Sequence, residues 1–135
     1  MQSWQQLGPH RYRMAQRFLH WEPHGAIQPA EMPQLLALFD QVGIRTQQGI
    51  VLFDQRSAAP AGSVVRRMMM DYLKEARPHV FCLFVGAPLA QRAFNQLLIG
   101  AARRLLGYEV RYAHFNSVEE ALRFADHMQG QAPPT

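Results

Sequence analysis

Two short runs in the middle of the chain constrain the fold most. "GIVLF" (residues 49–53) and "HVFCLFVG" (79–86) are apolar almost throughout. A strand with one wet face alternates apolar and polar residues. An unbroken apolar run of this length suits a strand covered on both faces. Helical stripes lie around both runs. In "AEMPQLLALFDQVG" Met32, Leu35, Leu36, Phe39 and Val42 share one stripe, and Gly43 is a natural stop. "SVVRRMMMDYLKEARP" places Val64, Val65, Met68, Met69, Tyr72, Leu73 and Ala76 on another, ended by Pro78.

The same alternation continues. "LAQRAFNQLLIGAARRLLG" predicts a long helix with a broad apolar face of Leu89, Ala93, Phe94, Leu97, Leu98, Ala101, Ala102 and Leu105, closed by Gly107. "YEVRYAHF" alternates as a strand nearer an edge. "SVEEALRFADHM" opens with Ser117 and Glu120 at capping-box spacing, then carries Val118, Ala121, Leu122, Ala125 and Met128 on one stripe. Near the N-terminus, "HRYRMAQRFLHWEP" predicts one or two edge strands that end at Pro23 and Gly25. Strands alternating with helices predict a layered α/β fold. The expected sheet is mixed and mostly parallel, with about four or five strands and about four helices. At 135 residues the chain reads as one domain over residues 1–128, followed by a disordered tail, 129–135.

Composition narrows the class. No apolar run approaches the roughly 20 residues of a membrane span. Met1 to Arg13 has no apolar core of signal-peptide type, so the expected location is cytoplasmic. The single cysteine, Cys82, sits among Phe and Leu and reads as inert core. The net charge is +4, and every basic residue but Lys74 is arginine. These arginines are scattered, without the interleaved aromatics of a stacking platform, so nucleic acid is not expected as a partner.

Ligands of α/β sheets collect outside the carboxyl ends of the strands. There the chain offers Asp54, Gln55, Arg56, Ser57 and Ser63, then Gly86, Ala87, Pro88 and Arg92, then Asn116 and Ser117. No phosphate-binding glycine motif and no nucleophile elbow is present, so no catalytic residue and no cofactor is expected. His20, Glu22 and His24 would share a strand face, but Pro23 and Gly25 break that strand, and no metal is expected. An aspartate closing a strand suggests a phosphoacceptor receiver, yet the acid pair and lysine such domains use are missing. Ser63 reads first as the N-cap of the following helix. A phosphate there would also be favoured by the helix dipole, with Arg66 and Arg67 one turn on. Met70 and Ile99 fall off their helices' apolar stripes among basic and polar residues, which suits docking of an acidic partner.

Four stretches, "FLHWEPHGAIQPAEM", "GIVLFDQRS", "FCLFVGAPLAQRAFNQLLIGAARRLL" and "VRYAHFNSVEEALRFADHM", resemble the STAS superfamily (sulfate transporter and anti-sigma-factor antagonist). The resemblance runs from about Tyr12 to Met128. It is to the antagonist-like branch grouped with CRAL-TRIO lipid-transfer folds. It implies a non-enzymatic, bacterial-type regulatory domain that docks an acidic or kinase-like protein through the helix after the third strand. Antagonists of this kind are phosphorylated on a serine at the start of that helix, which here implies Ser63, or Ser57 in the preceding loop. The sequence reads Ala61-Gly62-Ser63-Val64, without the Asp and Ser-Gly that usually flank that serine. The docking residues implied are Asp54, Arg56, Arg66, Arg67, Met70 and Arg92. The lipid-transfer side implies an alternative, a small lipid-like ligand held in a cleft under the helix from Leu89 to Leu106. A homodimer is left open.

Overall fold

The computed structural model describes residues 1–42, 48–107 and 109–130. Three strands come first: β1 (Gln5–Leu7), β2 (His10–Ala15) and β3 (Phe18–Glu22). A 3-10 turn (Pro29–Glu31) leads into α1 (Met32–Gln41), followed by β4 (Gly49–Asp54), α2 (Ser63–Ala76) and β5 (Val80–Val85). The chain continues through α3 (Leu89–Leu106), β6 (Arg111–Phe115) and α4 (Val118–Gly130). The strands form one sheet in sequence order, β1 to β6. β1–β2 and β2–β3 pair antiparallel; β3–β4, β4–β5 and β5–β6 pair parallel.

Side-chain alternation sorts the two apolar strands into two cores. Val51 of β4 and Cys82 and Phe84 of β5 meet α1, α2 and α3. Ile50 and Leu52 of β4 and Phe81, Leu83 and Val85 of β5 meet α4 through Ala121 and Ala125. The reason is topological. Each crossover steps the same way across the sheet, so right-handed connections place all three crossover helices on one side. α4 follows the last strand and covers the other side. Among the described residues no helix is long and apolar enough to cross a membrane.

Among the described residues the α/β class and the four helices agree with the sequence, but the sheet has six strands rather than four or five. The N-terminal segment folds as two tight hairpins. Gly8, at φ 59°, turns the chain between Leu7 and its partner His10. Arg17, at φ 58°, does the same between Ala15 and Phe18. β1 escaped the sequence reading because "QQL" shows no alternation. The domain also runs further than expected. α4 continues two residues past Met128, and Gln129 Nε2 donates to the Gln16 carbonyl at 2.8 Å. The expected stop at Gly43, residues 131–135 of the expected tail and Tyr108 of the last predicted strand lie outside the described residues.

One buried polar pair ties the hairpins to the helical layer. The His10 ring is fully buried, and Nδ1 accepts from the His24 backbone N–H at 2.9 Å. Nε2 must then carry the proton and donate to Glu31 Oε1, also at 2.9 Å. The same oxygen accepts from the Gln28 backbone N–H at 2.8 Å. Burial pushes the Glu31 carboxyl up, but the Gln28 and His10 hydrogen bonds outweigh it and hold the carboxyl below its ordinary value. Glu31→Ala should therefore leave two donors unpaired and cost about 2–3 kcal/mol, whereas Glu31→Gln, which keeps an acceptor, should cost under about 1 kcal/mol. Urea melts of the two variants check this; equal losses would show that the pairing is not what holds this corner.

Candidate functional site

The carboxyl ends of β4 and β5 bring the expected polar residues together, but mostly pair them with each other. Asp54 is buried at the end of β4 and accepts from Arg56 Nε at 2.9 Å and Nη2 at 2.6 Å. Burial pushes this carboxyl up; the Arg56 hydrogen bonds and charge outweigh it and hold it below its ordinary value. The Arg56 stem lies over Gly86, where an added Cβ would come within 2.6 Å of Arg56 Cγ. Gly86 has φ 64°, so this close approach and this backbone both need glycine. Asp54 is thus engaged inside the chain, and the exposed partner of the pair is Arg56.

Directly beside it is a group that the sequence did not reveal. Gln55 and Asn95 exchange amide hydrogen bonds, Asn95 Nδ2 to Gln55 Oε1 at 2.7 Å and Gln55 Nε2 to Asn95 Oδ1 at 3.2 Å. Gln91 Nε2 also donates to Asn95 Oδ1, at 3.0 Å. All three side chains are buried. Gln91 Oε1 is buried and has no hydrogen-bond partner among the described residues. Such an atom costs about 1–3 kcal/mol in a closed core. The triad borders a cavity of about 150 Å³ between the sheet and helices α2 and α3. Its walls are almost entirely apolar, with Phe53, Val65, Met69, Phe84, Phe94 and Leu98 among them. Trp21 also borders it, and the Trp21 indole N–H is a second buried polar group without a described partner. Burial pushes the Cys82 thiol, in the same wall, up to about 12, so it stays uncharged there.

α3 is turned differently from the sequence expectation. Leu89, Leu97 and Leu105, assigned to its buried face, are 85%, 65% and 76% exposed. Gln91, Asn95 and Ala102 are its buried residues, with Ile99 packed partly against the core. Met70 of α2 is likewise partly buried against the core rather than free for docking. α2 packs beside both α1 and α3, so its buried arc is wider than one stripe. Val64, expected inside, is exposed. Arg66, Arg67 and Arg92 are exposed, and Arg66 stands at the cavity wall.

The two serines are both exposed. Ser57 lies in the β4–α2 loop, and its carbonyl accepts from the Gly25 N–H at 2.8 Å. Ser63 is the first residue of α2 rather than its cap. Gly62 occupies the cap position, with no side-chain hydrogen bond. The cap expected at Ser117 does form, through Glu120 N–H to Ser117 Oγ at 3.2 Å.

The opposite face of the sheet carries a polar cluster over β2 and β3. Trp4 lies edge-on to His20, with Arg11 and Arg13 at 4.0 Å and 4.5 Å from its ring centroid. Arg11 pairs with Glu22. Arg13 Nε donates to His20 Nδ1 at 3.2 Å, so the His20 proton sits on Nε2. No cluster of three metal-ligating side chains occurs among the described residues.

No family model matches the chain, and no curated protein matches it.

Burial, and then the Arg13 charge, lower the His20 pKa from 6.5 to about 4. Below pH 6.5 the unfolded chain takes up a proton that the folded chain refuses until about pH 4. Stability should therefore fall as pH drops across that window, approaching 1.4 kcal/mol per pH unit and totalling about 3 kcal/mol. The lowered Asp54 pKa acts only below 3.8, so the two windows do not overlap. Chemical melts between pH 7 and 4.5, above the range where the Glu31 carboxyl contributes, should show this slope in the wild-type chain and a much shallower one in His20→Phe, the remainder coming from His114, whose pKa burial and the Arg92 charge also lower. An identical slope in the variant would assign it elsewhere.

Proposed function

We propose that this chain is a non-enzymatic, regulatory protein-interaction domain that docks an acidic, apolar helix of a protein partner on the outer face of α3, beside α2. The observation that supports this most is the row Leu89, Ala93, Leu97, Ala101 and Leu105. These positions recur every four residues and form one ridge of the helix surface, the kind that interlocks in the commonest helix–helix packing. Its three leucines are largely exposed. Single exposed apolar residues are ordinary; three large ones along one ridge are not.

Charge selects the occupant. α3 carries Arg92, Arg103 and Arg104 and no acidic residue. A second copy of α3 laid on this ridge would set arginines against arginines. A helix with acidic flanks would complement them and associate faster as salt falls. Arg66 and Arg67 on the neighbouring α2 extend the same charge. The proposed regulation follows the antagonist resemblance. Ser63 is exposed in the first turn of α2, where free backbone N–H groups and Arg66 and Arg67 favour a phosphate, with Ser57 as the other acceptor. The lipid-carrier alternative is less well supported. A cavity of about 150 Å³ is below the roughly 300 Å³ at which drug-sized ligands begin to fit, and an acyl chain is longer still.

Leu97→Glu and the double variant Arg103→Glu/Arg104→Glu should each abolish retention of the partner from the protein's own cells. Neither should move the thermal midpoint by more than the equivalent of about 0.5 kcal/mol, because these side chains touch no core. A partner retained by both variants would overturn the proposed face. So would a purified wild-type chain that self-associates and is made monomeric by Leu97→Glu, because the ridge would then be occupied by a second copy.

A further inference from the structure

The cavity under α2 and α3 combines three features that no part of the docking surface uses. Its walls are apolar, its volume is about 150 Å³, and two buried polar groups at its edge lack described partners. From these we infer a binding site for a compact, neutral, single-ring compound bearing one hydroxyl or carboxamide, with its ring against Phe53, Phe84 and Phe94 and its polar group at Gln91.

Size sets the ring. An apolar cavity of about 150 Å³ is the kind that takes up a benzene-sized molecule. Charge is excluded by the walls. Among the described residues Arg66 is the one charged residue bordering the cavity, and its side chain is exposed to water. Neither a carboxylate nor an ammonium group would find a buried counter-charge there, and a lone buried charge is strongly disfavoured.

The amide triad sets the polar group. Asn95 Oδ1 accepts from both Gln55 and Gln91, which directs Gln91 Oε1 away from the triad. The three amides can also be reversed together. The same three hydrogen bonds survive, and the unpaired atom of Gln91 becomes an N–H₂ instead. A group that donates and accepts meets either arrangement, and a hydroxyl or primary carboxamide does both. The Trp21 indole N–H, buried and without a described partner, is a donor on another residue that borders the same cavity. This inference does not rest on the docking surface, and the Leu97→Glu variant should leave it untouched.

The probes are phenol, benzamide and toluene. The chain has two tryptophans, Trp4 and Trp21, so a ¹⁵N spectrum contains two indole signals. Trp4 lies on the far side of the sheet against His20, whereas Trp21 borders the cavity. Phenol and benzamide should move the Trp21 signal in a saturable way and leave Trp4 in place. Toluene, matching phenol in size but lacking a donor, should bind at least about tenfold more weakly. Gln91→Leu should reverse that order, since the more apolar ring then has no unpaired amide to face. The inference is overturned if Trp21 does not respond at millimolar phenol, or if toluene binds the wild-type chain as well as phenol does. Both arms use the wild-type chain, so they decide the matter even if Gln91→Leu fails to fold.

Discussion

Everything in this molecule depends on β4 and β5 being apolar on both faces. Such strands are stable only if both sides are covered. Their register, Val51 opposite Cys82 and Leu52 opposite Leu83, sends alternate residues to two different cores. A slip of one residue would exchange the cores wholesale, so the register is strongly fixed. The order of the sheet then decides what covers each side. Three crossovers stepping in one direction put three helices on one face and leave the other to α4 and the N-terminus. The half of that second face beyond α4 is closed by Trp4 and the stems of Arg11 and Arg13 rather than by a helix. His20 is held neutral beneath them, which links this closure to pH.

Much of this was legible in the sequence because the relevant signals are local. Unbroken apolar runs gave β4 and β5, and Gly107 stands at positive φ where α3 ends. The stripes of α1 and α4 point inward as their periodicity implies: Met32, Leu35 and Phe39, and Ala121 and Ala125, are all buried. Periodicity failed where it was ambiguous. α3 has apolar residues on every side, so counting them could not say which side faces the sheet. A better signal was present. Gln91, Asn95, Leu98 and Ala102 continue one inward stripe, with the amides replacing apolar residues in its first two turns. The long-range partner was not legible at all, because Gln55 lies 40 residues from Asn95. Ser63 missed the cap by one position, an error that helix ends commonly produce. The Asp54–Arg56 pair is two residues apart, but a strand's alternation sends neighbours at that spacing to the same side. What brings the guanidinium back onto the carboxylate is the turn after the strand.

α3 is held differently from its neighbours, and this difference links the cavity to the exposed ridge. Where α1 is seated by large apolar side chains, the first half of α3 is fixed to the end of β4 by two amide hydrogen bonds between Asn95 and Gln55, with Gln91 bonded to Asn95 along the helix. Hydrogen bonds position a helix by direction, whereas packing does so by filling space. A helix placed by direction can stand off the sheet and leave volume beneath it. The space left beneath α3, about 150 Å³, is walled almost entirely by apolar side chains. Leu97 lies about 160° round the helix from Asn95, so facing it inward would turn α3 nearly over, hiding a leucine while turning Leu98 and Ala102 outward. The amide group opposes that turn, because it would break both bonds between Asn95 and Gln55 and leave the buried Gln55 amide without those partners. The Asn95–Gln55 pair therefore fixes the orientation of α3 that leaves the cavity on one side of the helix and the leucine ridge on the other.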